Sequence, residues 1–320
     1  MSKTLRLGVL LPTRGLLLDD GGGSDGVAQL LTMARAVEAA GLDSVWVGDS
    51  LTAKPRLEPL TTLAAVAVHT RRVRLGTAVM LAALRHPVLL AHAAGTVDLI
   101  SGGRLVLGVG VGGAFNEAQQ QEWRSVGVEP SQRAGRMEEV VGLLKRLTAG
   151  ETVTHKGRHF ALDAVQVQPA SRHPGGVPVL VACHWRAGRD RQFKRSATLG
   201  DGYISISDSP EEYAKVAARV RHHAEAAGRD FDALEAAFYM TVNLQEDDRR
   251  AAGEADRFLR LYYGTNIWGD RWGPFGPPER TAERIHQYAD AGAGTVIVRF
   301  ASFEQERQLD TFLSEVVPRL

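Results

Sequence analysis

Residues 101–113 read SGGRLVLGVGVGG, and this stretch decides the fold. Leu105, Val106, Leu107 and Val109 form an apolar run without polar alternation, the mark of a parallel strand covered on both faces. Gly108, Gly110, Gly112 and Gly113 then strip side chains from its carboxyl end. A strand gives up packing in this way where something else must approach the backbone. Gly108, Gly110 and Gly113 also satisfy G-x-G-x-x-G, which in a dinucleotide-binding fold places a pyrophosphate at the next helix. That fingerprint needs an acidic residue about twenty positions further on, at the end of a second strand. Here the chain has Arg133, inside a helical run from Arg133 to Thr148, so the dinucleotide reading is disfavoured. Two readings stay open: close packing within a sheet, or a ligand held against bare backbone.

On both sides of this strand the chain alternates between strand and helix. Leu5 to Leu11 is an apolar run ended by Pro12, and a glycine-rich stretch from Gly21 to Gly26 leads into a helix over about Val27 to Ala40. Gly41 closes that helix before the strand Leu42 to Val47. Further strands are expected at Val73 to Met80, Arg104 to Val111, Val177 to Ala182, Tyr203 to Ser207, Ala236 to Leu244 and Thr295 to Phe300. Helices are expected at Pro59 to His69, Pro87 to Ile100, Arg133 to Thr148, Arg189 to Leu199 and Pro210 to Ala227, several with proline in the first turn. A last helix closes at Ala291 and Gly292. Eight such units in 320 residues fit one (β/α)8 barrel with insertions, which typically takes ~250 residues without them. An open doubly wound sheet is the alternative, since alternation alone does not separate the two.

The whole chain, 1–320, is read as a single domain. A hairpin excursion falls at about 151–175, where Gly157 separates two short β-prone runs between Glu151 and Gln168. Residues 264–278, GTNIWGDRWGPFGPP, are read either as an irregular surface loop or as a hinged lid carrying Trp268, Trp272 and Phe275.

A formal net charge of +1 gives no reason to expect nucleic acid or an anionic membrane as partner. The single cysteine, Cys183, excludes an internal disulfide framework and a multi-cysteine zinc site, and fits a cytoplasmic setting. The amino-terminal apolar segment is broken by Pro12 and Arg14, too short for a signal or a span.

Barrel enzymes carry their chemistry at the carboxyl ends of the strands. Those ends supply Asp49 and Ser50, Thr77 and Ala78, Gly110 to Asn116, and Cys183, His184 and Trp185. This is one carboxylate, one imidazole and one thiol among much bare backbone, with no H-E-x-x-H and no nucleophile elbow. Such a floor suits a bound cofactor better than side-chain acid and base chemistry. His184 is the imidazole expected in the cavity, either as a proton donor or as a packing residue. Arg186, Arg189, Arg191, Lys194 and Arg195 follow at the start of a helix, where an anion is favoured.

The segments Ser44-Val45-Trp46-Val47-Gly48-Asp49-Ser50, Arg74-Leu75-Gly76-Thr77-Ala78-Val79, Arg85-His86-Pro87 and Ser101 to Gly110 resemble the bacterial luciferase-like family in order and spacing. Arg133 with Glu138, Ala197 to Tyr203, and Val317-Pro318 extend the resemblance over nearly the whole chain. It implies a TIM barrel that binds reduced FMN or the deazaflavin F420, usually as a homo-oligomer. It also implies coenzyme contacts at Asp49 and Thr77, at Gly110, Val111, Gly112 and Asn116 of a G-x-G-x-x-x-N-E stretch, and at the backbone of Ala182 and Cys183 for the coenzyme phosphate.

The F420-linked sugar-phosphate dehydrogenases of this family carry a histidine after the aspartate and an acid four residues before the glutamate of the N-E pair. Ser50 and Gly113 stand there instead. Hydride transfer from an alcohol needs a base within hydrogen-bond reach, whereas a flavin that reacts with oxygen needs a dry pocket and room above the ring. The leading expectation is therefore a monooxygenase that takes reduced FMN from a separate reductase, uses O2 and oxygenates a small organic substrate. An F420-dependent hydride-transfer enzyme and a non-catalytic flavin-binding protein are the alternatives.

Overall fold

The computed structural model describes residues 4–18, 24–266 and 269–320. Gly21 to Gly23 of the glycine-rich stretch, and Trp268, lie outside the described residues. Among the described residues eight parallel strands close into a barrel. They are β1 (Arg6–Leu10), β2 (Ser44–Val47), β3 (Arg74–Met80), β4 (Leu105–Val109), β5 (Val179–Ala182), β6 (Gly202–Ile206), β7 (Glu235–Leu244) and β8 (Thr295–Phe300). Neighbours run in chain order, β8 pairs with both β1 and β7, and β6 closes on β7 from Gly202 opposite Glu235 to Ile206 opposite Tyr239. Closure rules out the open sheet.

The opening stretch is the wall of this barrel. All five residues of β4 are buried, with Leu105, Leu107 and Val109 packed in the large outer core under the helices and Val106 in the inner cluster with Leu10, Trp46, Leu180, Ile204 and Ile297. Two-sided burial is why the run shows no alternation. Gly108 is a packing requirement, since a Cβ there would lie 2.1 Å from the carbonyl oxygen of Thr77 on the neighbouring strand. Gly110 has the same character, its Cβ falling 2.7 Å from Cγ2 of Val79.

Helices cover the outside. Those at Pro59–His69 and Arg133–Thr148 have the expected bounds, and Pro87–Ser101, Arg191–Thr198 and Pro210–Ala226 differ by one or two residues at an end. The first begins at Ser24, earlier than expected. Glu58, His86 and Ser209 cap helices whose first position is proline, a residue whose missing N–H costs nothing there. Three helices are additional to the sequence reading: Glu117–Arg124, Asp248–Tyr263 and Gln305–Thr311.

An antiparallel hairpin, Val153–Lys156 with Ala161–Val165, leaves the barrel between β4 and β5. In the 264–278 segment, Trp272 is 5% exposed and stacks on Tyr263 at 5.8 Å. The Gly273 N–H donates to the Thr241 carbonyl, and Phe275 pairs with Asn243 beside β7. The second half of this segment is thus tied to the barrel. Among the described residues no helix is long and apolar enough to cross a membrane.

Candidate active site

A cavity opens at the carboxyl ends of the strands. Over β3 to β6 its lining is Ala78, Val79, Ala182, Ile204, Ser205 and Ile206; over β2 and β7 it is Asp49, Ser50, Lys54, Arg56, Tyr239, Tyr262 and Tyr263, with Gly113, Gln119 and Glu122 at the rim. The strand order puts β8 and β1 between β7 and β2. The cavity therefore has an apolar sector and a separate charged, aromatic sector.

Asp49 follows β2, and its side chain is 1% exposed. Its Oδ2 accepts from the Leu81 N–H at 2.9 Å and from Arg85 Nη1 at 2.6 Å, and Oδ1 accepts from Arg85 Nη2 at 3.1 Å. Asp49 thus ties the β2 exit to the segment after β3.

The other expected residues divide. Ala182 lines the cavity, and Gly110 lies just behind it, its Cβ position 3.6 Å from that of Ala182. Gly112 has φ +74°, a glycine conformation, and its carbonyl accepts from Arg133 Nε at 3.2 Å. Val111 packs toward the outer core. Thr77 is fully buried outside the lining, its Oγ1 donating to the Gly108 carbonyl at 2.8 Å. Asn116 is exposed and caps the helix Glu117–Arg124 by accepting from the Gln119 N–H at 3.0 Å.

The backbone after β5 is already engaged. The Cys183 N–H donates to the Ile204 carbonyl, that of His184 to Gln192 Oε1 at 3.1 Å, and that of Trp185 to the carboxylate of Asp208 at 2.9 Å. Of the arginines behind, Arg186 pairs with Glu212, and Arg191 and Arg195 with Glu138. Burial pushes the Cys183 thiol up to about 12, so it is an inert filler. His184 lies outside the lining, half-buried, and burial followed by the charge of Arg271 holds its imidazole below the usual range.

Titratable groups absent from the sequence reading enter the cavity instead, Glu122 and Lys54 among them. Glu122 is 2% exposed. Its Oε1 accepts from Ser50 Oγ at 2.5 Å and from the N–H groups of Leu51, Thr52 and Ala53 at 2.6, 2.9 and 3.2 Å. Ser50 is thus committed to a carboxylate delivered by the helix Glu117–Arg124. Lys54 follows in the same loop, its Nζ 4.6 Å over the Tyr263 ring. Burial, then the charges of Arg56 and Arg14, bring the Lys54 ammonium down to about 8. Burial pushes the Tyr262 phenol up, but Arg56, Arg299 and Arg14 outweigh it and hold the phenol below its ordinary value.

Small and branched side chains, Ala78, Val79, Ala182, Ile204 and Ile206, meet in the apolar sector without a charged group, and at the edge a Cβ on Gly113 would meet only the ends of the Phe115 and Gln119 side chains, of which Phe115 is exposed and free to shift.

Residues 5–295 match the family model described as luciferase-like monooxygenase. The chain is 31% identical to the F420-dependent glucose-6-phosphate dehydrogenase of Amycolatopsis mediterranei, covering 92% of this chain and 95% of the relative. It is 31% identical to the enzyme of that name from Kineococcus radiotolerans, covering 91% and 93%. A monooxygenase from Streptomyces bottropensis superposes with a TM-score of 0.82 at 24% identity over 98% of this chain and 99% of its own. An F420-dependent secondary alcohol dehydrogenase does so with a TM-score of 0.80 at 19% identity over 99% of each; likeness at these identities speaks to the fold. With a family match over most of its length and relatives at 31% identity, the chain belongs to the luciferase-like monooxygenase family and is an oxidoreductase.

Proposed function

We propose that the protein is an F420-dependent oxidoreductase that moves a hydride between the deazaflavin and a small-molecule substrate. The observation that carries this reading is the relatives at 31% identity over more than nine-tenths of the chain, both named as F420-dependent. It replaces the FMN monooxygenase expected from Ser50 and Gly113. That expectation rested on the lack of a proton-transferring group, and Glu122 and Lys54 both line the cavity.

When bound, F420 supplies a carbon centre that accepts or releases a hydride. Ala78, Val79, Ala182, Ile204 and Ile206 would flank its ring and keep water from it. Asp49 has both oxygens engaged by Arg85 and the Leu81 N–H, so its part is to fix the segment bearing Val79 and Leu81. Glu122 holds all its donors on Oε1, leaving Oε2 to take or return the proton at the substrate oxygen. Under this reading neither O2 nor a flavin reductase is needed; the partner is an enzyme that regenerates the spent coenzyme. Bleaching of F420 absorbance with candidate alcohols under anaerobic conditions tests it. Glu122→Gln is expected to lower kcat by about 10²-fold or more with F420 affinity retained, and unchanged turnover would remove Glu122 from the chemistry.

A further inference from the structure

The mouth of the barrel gathers four cationic side chains that form no ion pair among the described residues. Lys54 and Arg56 line the cavity, and Arg14 and Arg299 stand behind them among Tyr262 and Tyr263. Arg56 Nη1 donates to the Tyr262 hydroxyl at 3.2 Å, Arg299 Nη1 to that of Tyr263 at 2.6 Å, and Arg14 to the carbonyls of Tyr262 and Pro55 at 2.9 and 3.0 Å. All of these acceptors are neutral. Among the described residues none of the four is ion-paired with a carboxylate, and the one carboxylate felt at Lys54, that of Glu122, is outweighed there by Arg56 and Arg14. Arg299 is only 2% exposed, and its Nε has no hydrogen-bond partner among the described residues.

Desolvated charge of one sign is costly unless a counter-charge meets it. The arginines after β5 show the ordinary solution, pairing with Glu212 and Glu138. The lowered Lys54 ammonium and the lowered Tyr262 phenol report the same excess of positive potential.

We propose that Lys54 and Arg56, backed by Arg299, bind an anionic group, a phosphate or carboxylate, brought into the cavity by the substrate or by the acidic side chain of the coenzyme. Charge-assisted hydrogen bonds from an ammonium and a guanidinium are the strong class for such a group, and the tyrosine rings hold both cations in place from their faces. Glu122 adds direction. Its carboxylate repels an anion from the rim, so the anionic end sits toward Arg56 and the neutral, reacting end toward Glu122. The substrate source rests on the reading of the chain as an F420-linked oxidoreductase.

Calorimetric titration with inorganic phosphate at low ionic strength tests the site directly. Phosphate is expected to bind the wild type, with affinity falling as salt is added. Lys54→Met and Arg56→Gln are each expected to weaken binding about tenfold or more without lowering the melting temperature. Phosphate is also expected to raise the Lys54 titration midpoint, read by NMR of isotopically methylated lysines. Parallel titrations with F420 and with its riboside, which lacks the acidic side chain, separate the sources. Loss of F420 affinity in the variants with riboside affinity retained assigns the site to the coenzyme's side chain; loss of phosphate affinity alone assigns it to the substrate. Phosphate binding that is absent, or equal in wild type and both variants, together with unaltered F420 affinity, overturns the proposal. Failure of the F420 reading shows separately, as a wild type that binds neither F420 nor the riboside while the phosphate arm still reads.

Discussion

Replacing Asp49 by alanine removes the carboxylate that joins two strand exits. The wild-type carboxylate accepts three hydrogen bonds, two of them from Arg85, and its side chain is 1% exposed against 16% for Arg85. Breaking a buried pair by deleting one partner costs about 3–5 kcal/mol, because the remaining charge is left uncompensated. Arg85 keeps a second contact, Glu58 at 3.2 Å, but that carboxylate is 44% exposed, so the expected loss for Asp49→Ala lies at the lower end, about 3 kcal/mol. Asp49→Asn retains an acceptor for the Leu81 N–H while losing the charge, and is expected to cost about 1.5–3 kcal/mol. Urea unfolding followed by tryptophan fluorescence measures both, with coenzyme affinity recorded on the same samples. A residue that only touched the coenzyme would lose affinity at unchanged stability. Stability of Asp49→Ala within about 0.5 kcal/mol of wild type, the range of ordinary surface substitutions, would refute the structural role.

Two further outcomes follow from packing and charge. Gly108→Ala places a Cβ 2.1 Å from the Thr77 carbonyl oxygen, and since backbone is what it meets, a loss of about 1–3 kcal/mol or more is expected; an unchanged melting temperature would contradict the packing. Lys54→Met removes an ammonium whose folded-state value, lowered by burial and then by Arg56 and Arg14, is about 8. Its unfolded value is about 10.4, so the unfolded chain binds the extra proton between these limits and wild-type stability rises with pH across that window. The variant is therefore expected to be the more stable protein below about pH 8, with the difference fading above about pH 10.4. A difference that does not vary with pH would place the Lys54 ammonium in solvent.

The eight strands were legible because a strand buried on both faces is a continuous apolar run, as Leu105 to Val109 shows, and because glycine and proline punctuate the units around it. The site was less so. The helix Glu117–Arg124 has the sequence EAQQQEWR, with only Ala118 and Trp123 apolar and no period to read, so Glu122 had no visible route to Ser50. The helix Asp248–Tyr263 did carry a signal: Ala251, Ala255, Phe258, Leu259 and Tyr262, its buried residues, fall at helical spacing. Following that spacing would have brought Tyr262 and Tyr263 to the barrel mouth. Side-chain direction was the other loss. Thr77 and Ala78 are adjacent in β3, and alternation sends Thr77 outward and Ala78 into the cavity, so a strand-end position alone does not say which of two neighbours meets a ligand. Lys54 and Arg56, in a loop without local pattern, gained meaning only from Tyr262, Tyr263 and Arg299, residues far away along the chain.

The most direct measurement of the central claim is an equilibrium fluorescence titration of the wild-type protein with F420 and, separately, with FMN in its oxidised and reduced forms. F420 is expected to bind at least about tenfold more tightly than either form of FMN, a difference of about 1.4 kcal/mol or more. Tight binding of reduced FMN with no measurable affinity for F420 would contradict the account.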